Sequence, residues 1–400
     1  MGRGGRGRAP GPHSRPAPPH NAAGFPAAVD VSRIGRALAA SSRRAVRARA
    51  AAAKEGCDLS WRSKAPGDVR VLIVGSTGYI GRFVVKEMVS RGFDVTAVAR
   101  SASGIGGKQT EADVKGDLEG ARVAFGDCTD AASLDRALEG QEFDVVVSCL
   151  ASRTGGVKDS WLIDYEATRN SMLVGQKHGA KHFVLLSAIC VQKPLLEFQK
   201  AKLKFEDELI ALPGMSYSIV RPTAFFKSVA GQVNGMMKGS PYVMFGDGTL
   251  AACKAISEAD LAKYLADCVL DANQDLTNAI LPIGGPGGAL TAKAQADIVF
   301  KAAGVEPKFF PVPVGLMDGM IGIFDFLAGV FPQLEDSAEF AKIGKYYATE
   351  SMLLMDPATG EYDADATPEY GETTLASFFE ESVRNGGVGA GQELGDQAVF

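Results

Sequence analysis

From residue 69 onward, hydrophobic positions fall into short continuous runs that alternate with stripes at helical spacing. The first run, residues 69–75 (VRVLIVG), is rich in β-branched side chains and lacks the in-out alternation of a half-exposed strand. That is the pattern of a strand covered on both faces of a parallel sheet. Residues 75–81 (GSTGYIG) follow, and 83–92 (FVVKEMVSRG) has helical periodicity that stops at a glycine. Further strands are expected at 94–100, 121–127, 143–152, 181–187 and 216–222, with helices at 131–139 and 163–179. Beyond Phe226 the alternation loosens. A helix over 257–272 opens on Ser257 as its cap, with Asp260 at the third position. Helices near 291–303, 314–329 and 335–349 and a strand at 308–312 complete the pattern. Strands alternating with helices imply an α/β fold. It is a Rossmann-type doubly wound parallel sheet with a smaller C-terminal substrate lobe, and its ligand sits at the carboxyl ends of the strands. Three divisions are expected: a leader over 1–56, a nucleotide-binding domain over 57–226, and a lobe over 227–400 that packs on it and partly completes it.

Strand, glycine turn, helix is the setting a dinucleotide site requires. Gly75 permits the tight turn, Gly78 lets backbone approach the pyrophosphate, and Gly81 allows the helix to lie close to the strand. The phosphates then rest on the N-terminus of the helix, against Ser76, Thr77, Tyr79 and Ile80, where free N–H groups favour anions. The second strand ends in Arg100 and Ser101. A site for NADH places a carboxylate there to accept from the ribose 2′-hydroxyl, whereas a cation and a hydroxyl suit the 2′-phosphate of NADPH. The alternative is an arginine merely solvated at a strand end. Cys149, Leu150 and Ala151 at the end of the fourth strand, and Pro222 at the end of the sixth, should pass beside the cofactor.

Composition changes the picture at the N-terminus. Residues 1–54 are rich in Gly, Pro, Ala and Arg and carry Asp30 as their one carboxylate, although the whole chain has a net charge of -5. Such a segment cannot build a core, and its chemistry is that of an organelle transit peptide, with cleavage expected between Ala48 and Gly56. A basic tail or nucleic-acid arm is the competing reading; the acidic remainder offers nothing to a polyanion. The six cysteines (Cys57, Cys128, Cys149, Cys190, Cys253, Cys268) show no metal-ligand spacing and read as buried reduced thiols. The most apolar stretch, 317–331, is interrupted by Asp318, Asp325 and glycines, so a packed helix or lid is expected, with Phe324 and Phe326 in the core.

The GxxGxxG spacing resembles the short-chain dehydrogenase/reductase superfamily, particularly its extended and atypical branches. In that resemblance Asp127 takes the position of an adenine contact, and the helix over 163–179 lines the site. Many members use Ser, Tyr and Lys, the last two as YxxxK. Here Ser187 and Lys202 stand at the matching positions, but Phe198 replaces the tyrosine, and Phe has no proton to give. Reduction of a carbonyl through a tyrosine acid is therefore disfavoured, whereas reduction of a conjugated C=C bond needs no donor at a carbonyl oxygen. Lys202 otherwise reads as one of several solvated helical lysines beside Lys200 and Lys204.

Longer strings are more specific. VLIVGSTGYIGRFVVKEMVSRGF, VVVSCLASRTGGVKDSWLIDYEATRNS, KHFVLLSAICVQKPLLEFQKAKLKFE, YSIVRPTAFFKSVAGQV, PYVMFGDG, LPIGGPG, GKYYATESMLLMDPATGEY and the terminal GQELGDQ resemble the plant and algal divinyl chlorophyllide 8-vinyl reductases. The resemblance implies NADPH-dependent reduction of an 8-vinyl group to ethyl on divinyl chlorophyllide a or divinyl protochlorophyllide a, and a chloroplast destination for the leader. A flat apolar macrocycle with a propionate edge calls for aromatics and cations. Phe198, Phe225, Phe226, Lys227, Arg153 and Lys158 are the candidates. Peripheral contact of the 316–331 segment with a thylakoid or envelope membrane is expected, with no nucleic-acid or obligate protein partner. Two other readings stay open: an isoflavone-reductase-like enzyme acting on phenolic substrates, and a non-catalytic NADP-binding regulator or RNA-binding plastid protein.

Overall fold

The computed structural model describes residues 1–2, 57–101, 109–270 and 275–389. The expected leader beyond Gly2, its cleavage region, part of the hydrophilic insert at 103–118 and the terminal GQELGDQ lie outside them. Five strands and their crossovers follow the hydrophobic runs closely: β1 (Arg70–Val74), β2 (Asp94–Ala99), β3 (Arg122–Phe125), β4 (Val145–Ser148) and β5 (His182–Leu186). With β6 (Ser216–Pro222) they form a parallel sheet in the order β3-β2-β1-β4-β5-β6. The order reverses between β1 and β4, which opens a crevice at the carboxyl ends of those two strands.

Period-two alternation splits the core into two layers. Val71 and Ile73 of β1 face one side, where they meet Val84, Val85 and Met88 of helix α1 (Tyr79–Ser90). Leu72 and Val74 face the other side, with Leu134, Phe183, Phe205 and Leu209. Full burial of such side chains stabilises the fold by about 1.5–3 kcal/mol apiece. On that second side lie α3 (Ala131–Ala137), the helix α4 (157–177) and α5 (Glu197–Ala211). Ahead of α3, in the insert, is the short α2 (Glu111–Asp117), started by a capping box between Thr110 and Asp113.

The structure departs from the sequence pattern in four places. Beyond the short antiparallel β8 (Ala252–Cys253), the chain returns to the main sheet: β9 (Ala279–Ile283) pairs in parallel with β6 as a seventh strand. Helix α6 (Glu258–Asp267), capped by Ser257 as expected but ending short of 272, packs on α1 and places Leu261 and Leu265 in the first core layer. The strand expected at 143–152 ends at Ser148, because the chain leaves the sheet to line the crevice, whereas the fifth strand ends at Leu186, next to the expected Ser187. The helix expected at 163–179 begins at Val157 and is π-wound over Ser160–Ala167.

The C-terminal part has its own apolar cluster around Phe226, Phe300 and Phe379. It carries β7 (Tyr242–Phe245) paired in parallel with β11 (Phe309–Val312), β8 paired with β10 (Leu290–Thr291), and α7 (Ala292–Ala303). The hairpin of α8 (Val314–Val330) and α9 (Glu335–Thr349) follows. The expectation of core packing for α8 fails: Met317 is its one buried residue, Phe324 is half-buried, and Phe326 is 74% exposed. The reason is electrostatic. Asp325 pairs with Lys342 at 2.8 Å and Asp318 pairs with Lys345, so the acids of α8 face α9 and its apolar stripe faces solvent.

Candidate active site

The crevice is floored by the turn after β1. Gly75 has φ +73°, and a Cβ there would lie 2.6 Å from the carbonyl carbon of Cys149, where β4 ends. A Cβ on Gly81 would collide with the Gly75 carbonyl oxygen, so α1 approaches the strand as closely as backbone allows. Gly78, the exposed N-cap of α1, leaves the first N–H groups of the helix open to the crevice. This cradle fits a pyrophosphate. The side chains of the turn have other tasks. Ser76 is buried and donates to the Val98 carbonyl at 2.6 Å, and Ile80 is buried in the core, so neither offers its side chain to a phosphate. Thr77 is half-buried beside Gly78. Tyr79 has the Lys227 ammonium 4.6 Å from its ring centre and shares a hydrogen bond with Glu258, while burial raises its phenol.

At the edge of the crevice, Arg100 and Ser101 are exposed where β2 ends. The Asp127 carboxylate accepts from the backbone N–H and hydroxyl of Thr129 at 2.9 and 2.8 Å, which holds the turn after β3. Cys149 is buried, Leu150 half-buried and Ala151 exposed along the wall that continues β4. Burial pushes the Cys149 thiol up to about 12 and the Cys190 thiol up to about 11, each opposed by the nearby Lys202 charge, so both remain protonated at neutral pH. None of the six cysteines is in a disulfide.

Lys202 is not solvated. It is 6% exposed, and its Nζ lies 2.9 Å from Asp164 Oδ1. Asp164 sits in the π-wound turn and also accepts from the Ser152 backbone N–H at 3.2 Å, joining α5, α4 and the loop after β4. π-turns occur often at functional sites because the extra residue re-aims a side chain. Ser187, at the end of β5, is engaged differently: its hydroxyl donates to Glu206 Oε1 at 2.5 Å, and Glu206 pairs with Arg221. That arrangement holds the ends of β5 and β6 together and engages the Ser187 proton with Glu206. Pro222 is buried at the end of β6.

The substrate candidates separate. Phe198 is half-buried against Gly155, with Ile343 of α9 on the same loop. Arg153 and Lys158 are exposed; the Arg153 backbone N–H is held by Asp159 at 2.8 Å. Phe225 is half-buried beside a bridge to Ile256. Phe226 goes elsewhere: it is 1% exposed, its ring 5.1 Å from that of Phe378, and belongs to the C-terminal core instead of an open pocket wall. Sequence reading missed Asp164 and Glu206. Asp164 and Lys202 stand on different helices, and only the fold brings them together.

Comparison with known proteins agrees with this geometry. An NAD(P)H-binding family matches residues 75–272. A chloroplastic divinyl chlorophyllide a 8-vinyl-reductase of Cucumis sativus is 59% identical, over 86% of this chain and 83% of its own length. Its counterpart in Arabidopsis thaliana is 60% identical over 84% of this chain and 82% of its own. Among solved structures, an NADPH-dependent quinone oxidoreductase of Escherichia coli with NADPH bound superposes with a TM-score of 0.53. It covers 78% of this chain and 99% of its own at 17% identity, a likeness of fold.

Proposed function

We infer the function of this chain from the family to which it belongs, the divinyl chlorophyllide a 8-vinyl-reductases: it is an NADPH-dependent oxidoreductase that reduces the 8-vinyl group of divinyl chlorophyllide a to ethyl. Identity of 55–60% to four plant members over about 85% of the chain carries the reading. It also sets aside the phenolic-substrate and regulator alternatives and makes the protein chloroplastic.

Bound NADPH supplies the hydride. The chain's own residues hold and shield it: the glycine turn and α1 receive the pyrophosphate, and Arg100 with Ser101 receive the 2′-phosphate. Lys202, fixed by Asp164, would hold the nicotinamide ribose. A buried ammonium held by one carboxylate is oriented before the cofactor arrives, which lowers the cost of ordering it. Phe198 and Phe225 offer apolar faces to the macrocycle, and Arg153 and Lys158 offer charge to its propionate. Divinyl protochlorophyllide a differs from the chlorophyllide at a ring distant from the vinyl group, and we propose it as a second substrate. We also propose a stromal enzyme that touches the thylakoid or envelope surface through the outward stripe of α8. This stripe supports contact at a surface; no helix of the described residues is long and apolar enough to cross a membrane.

The test is an absorbance assay of the purified chain with divinyl chlorophyllide a and either NADPH or NADH. Loss of vinyl conjugation shifts the Soret band to the blue. A shift with NADPH and none with NADH is expected. No shift with either, while NADPH still binds, would sink the reading.

A further inference from the structure

We propose that Glu339 of α9 is a positioning residue for Lys202: from the C-terminal lobe it closes the open end of the helix that carries the lysine. The inference rests on the reading of Lys202 as a cofactor contact made above.

The first N–H groups of a helix have no partner within it and need an acceptor from elsewhere. Helix α5 follows Leu196, whose side chain has no polar atom to cap with. Gln199 Oε1 accepts from the N–H groups of Leu195 and Leu196 at 2.8 and 3.0 Å, just ahead of the helix. The next donor, the Glu197 N–H, is taken by Glu339 Oε1 at 2.7 Å, and Glu339 is itself 5% exposed. Helix α4 begins in the same way. It follows Gly156, which has no side chain, and the Val157 N–H donates to Asp336 Oδ1 at 3.0 Å. A Cβ on Gly156 would lie 2.6 Å from that oxygen, so glycine there admits the carboxylate. Asp336, Glu339, Ile343 and Tyr346 fall at i, i+3, i+7 and i+10, one stripe of α9. Further along this stripe Ile343 packs against Gly155, and the Tyr346 hydroxyl lies 3.0 and 3.1 Å from the carbonyls of Cys190 and Lys193.

The two capped helices are the ones that carry Asp164 and Lys202. They run side by side in the same direction, joined by polar rungs. Trp161 Nε1 donates to Glu197 Oε2 at 3.0 Å, Lys202 Nζ lies 2.9 Å from Asp164 Oδ1, and Arg169 Nε donates to Glu208 Oε2 at 2.9 Å. The middle rung is the buried one. Sliding either helix along its axis would pull Asp164 away from Lys202. At the end nearest the crevice, that axial register is fixed by two carboxylates one turn apart on a single helix. Lys202 follows the Glu197 N–H by five residues, about 7.5 Å along the axis, so Glu339 touches neither the lysine nor its ribose partner. It acts through the helix, and the lobe thereby sets where the ammonium stands.

A mutant cycle on the NADPH Kd of the full chain, read by nicotinamide fluorescence well below the melt, tests this. Glu339→Ala is expected to weaken NADPH binding about tenfold. Glu339→Gln keeps an acceptor of the same length and should stay within about threefold of the parent. Thr291→Ala is the structural control: it removes the cap of α7, where the Thr291 hydroxyl accepts from the Ala294 N–H at 3.2 Å. It should lower the melting temperature about as much as Glu339→Ala does and leave the Kd at the parental value. In a Lys202→Met/Asp164→Asn background, adding Glu339→Ala should make no further difference to the Kd. An equal loss of affinity in both backgrounds would overturn the proposal, since the effect would not pass through Lys202. A parental Kd in Glu339→Ala, or in Lys202→Met/Asp164→Asn, would overturn it too. The cycle needs no tetrapyrrole, so a missing Soret shift would sink the vinyl-reductase reading without changing what the Kd values decide.

Discussion

At the scale of single residues, a buried ion pair and a buried histidine have measurable electrostatic consequences. Lys202 and Asp164 form an ion pair with side-chain exposures of 8% and 1%. Breaking such a pair from one side leaves an uncompensated charge in low dielectric, at a cost of about 3–5 kcal/mol. Lys202→Met should therefore lower stability by that order in chemical denaturation and weaken NADPH binding together. Adding Asp164→Asn should restore most of the stability and none of the binding, and recovery of both would remove Lys202 from the cofactor site. The second group is His182, fully buried in β5, with its ring nitrogens 2.8 and 3.1 Å from the hydroxyls of Ser216 and Ser218 and its ring 5.5 Å from that of Trp61. Burial, with Arg62 adding repulsion, pushes the imidazole down to about 3. Its folded value lies below the unfolded one of about 6.5. Unfolding thus takes up a proton once pH drops below 6.5, and stability is lost between there and about 3, by at most about 1.4 kcal/mol per pH unit. His182→Gln should cost about 1–3 kcal/mol at pH 7 and flatten that acid slope in urea titrations; an unchanged slope would place the acid sensitivity elsewhere.

At the scale of elements, periodicity located the first six strands and most of the longer helices, because burial on both faces of a parallel sheet or on one stripe of a helix leaves a local record. It did not locate β9, or β8 and β10, whose two-residue pairing leaves none. It misassigned two. The π-wound turn of α4 reads as ordinary helix, since the extra residue per turn answers to the placement of Asp164 and not to any hydrophobic spacing. Helix α8 reads as core because apolar content does not say which way a helix faces. Ion pairs from α9 settle that, and they leave Leu316, Met320, Ile323 and Val330 exposed along one stripe. Replacing Ile323 and Phe326 by Glu should leave the melting temperature and the activity on dissolved substrate unchanged. It should abolish co-sedimentation with galactolipid vesicles; retained binding would exclude this stripe as the contact.

At the scale of the whole molecule, the division at 226 is one of sequence pattern, and the sheet crosses it. Strand β9 and helix α6 come from the later segment, yet Ile283, Leu261 and Leu265 belong to the same core layer as Val71 and Ile73. A fragment ending at 226 should accordingly fail to give a cooperative melt or to bind NADPH, whereas the full chain does both. What the sequence determined by itself is the nucleotide-binding half. Strand, glycine turn and helix are contiguous there, so their chemistry is written within some twenty residues, and long matched strings fixed the family. The tertiary structure alone decided the buried pairing at the end of the fourth strand. Lys202 and Asp164 lie on separate helices, and no local pattern relates them. It also sent Phe226 to the core and Ser187 to Glu206, since a side chain's task depends on which surface the fold leaves open around it.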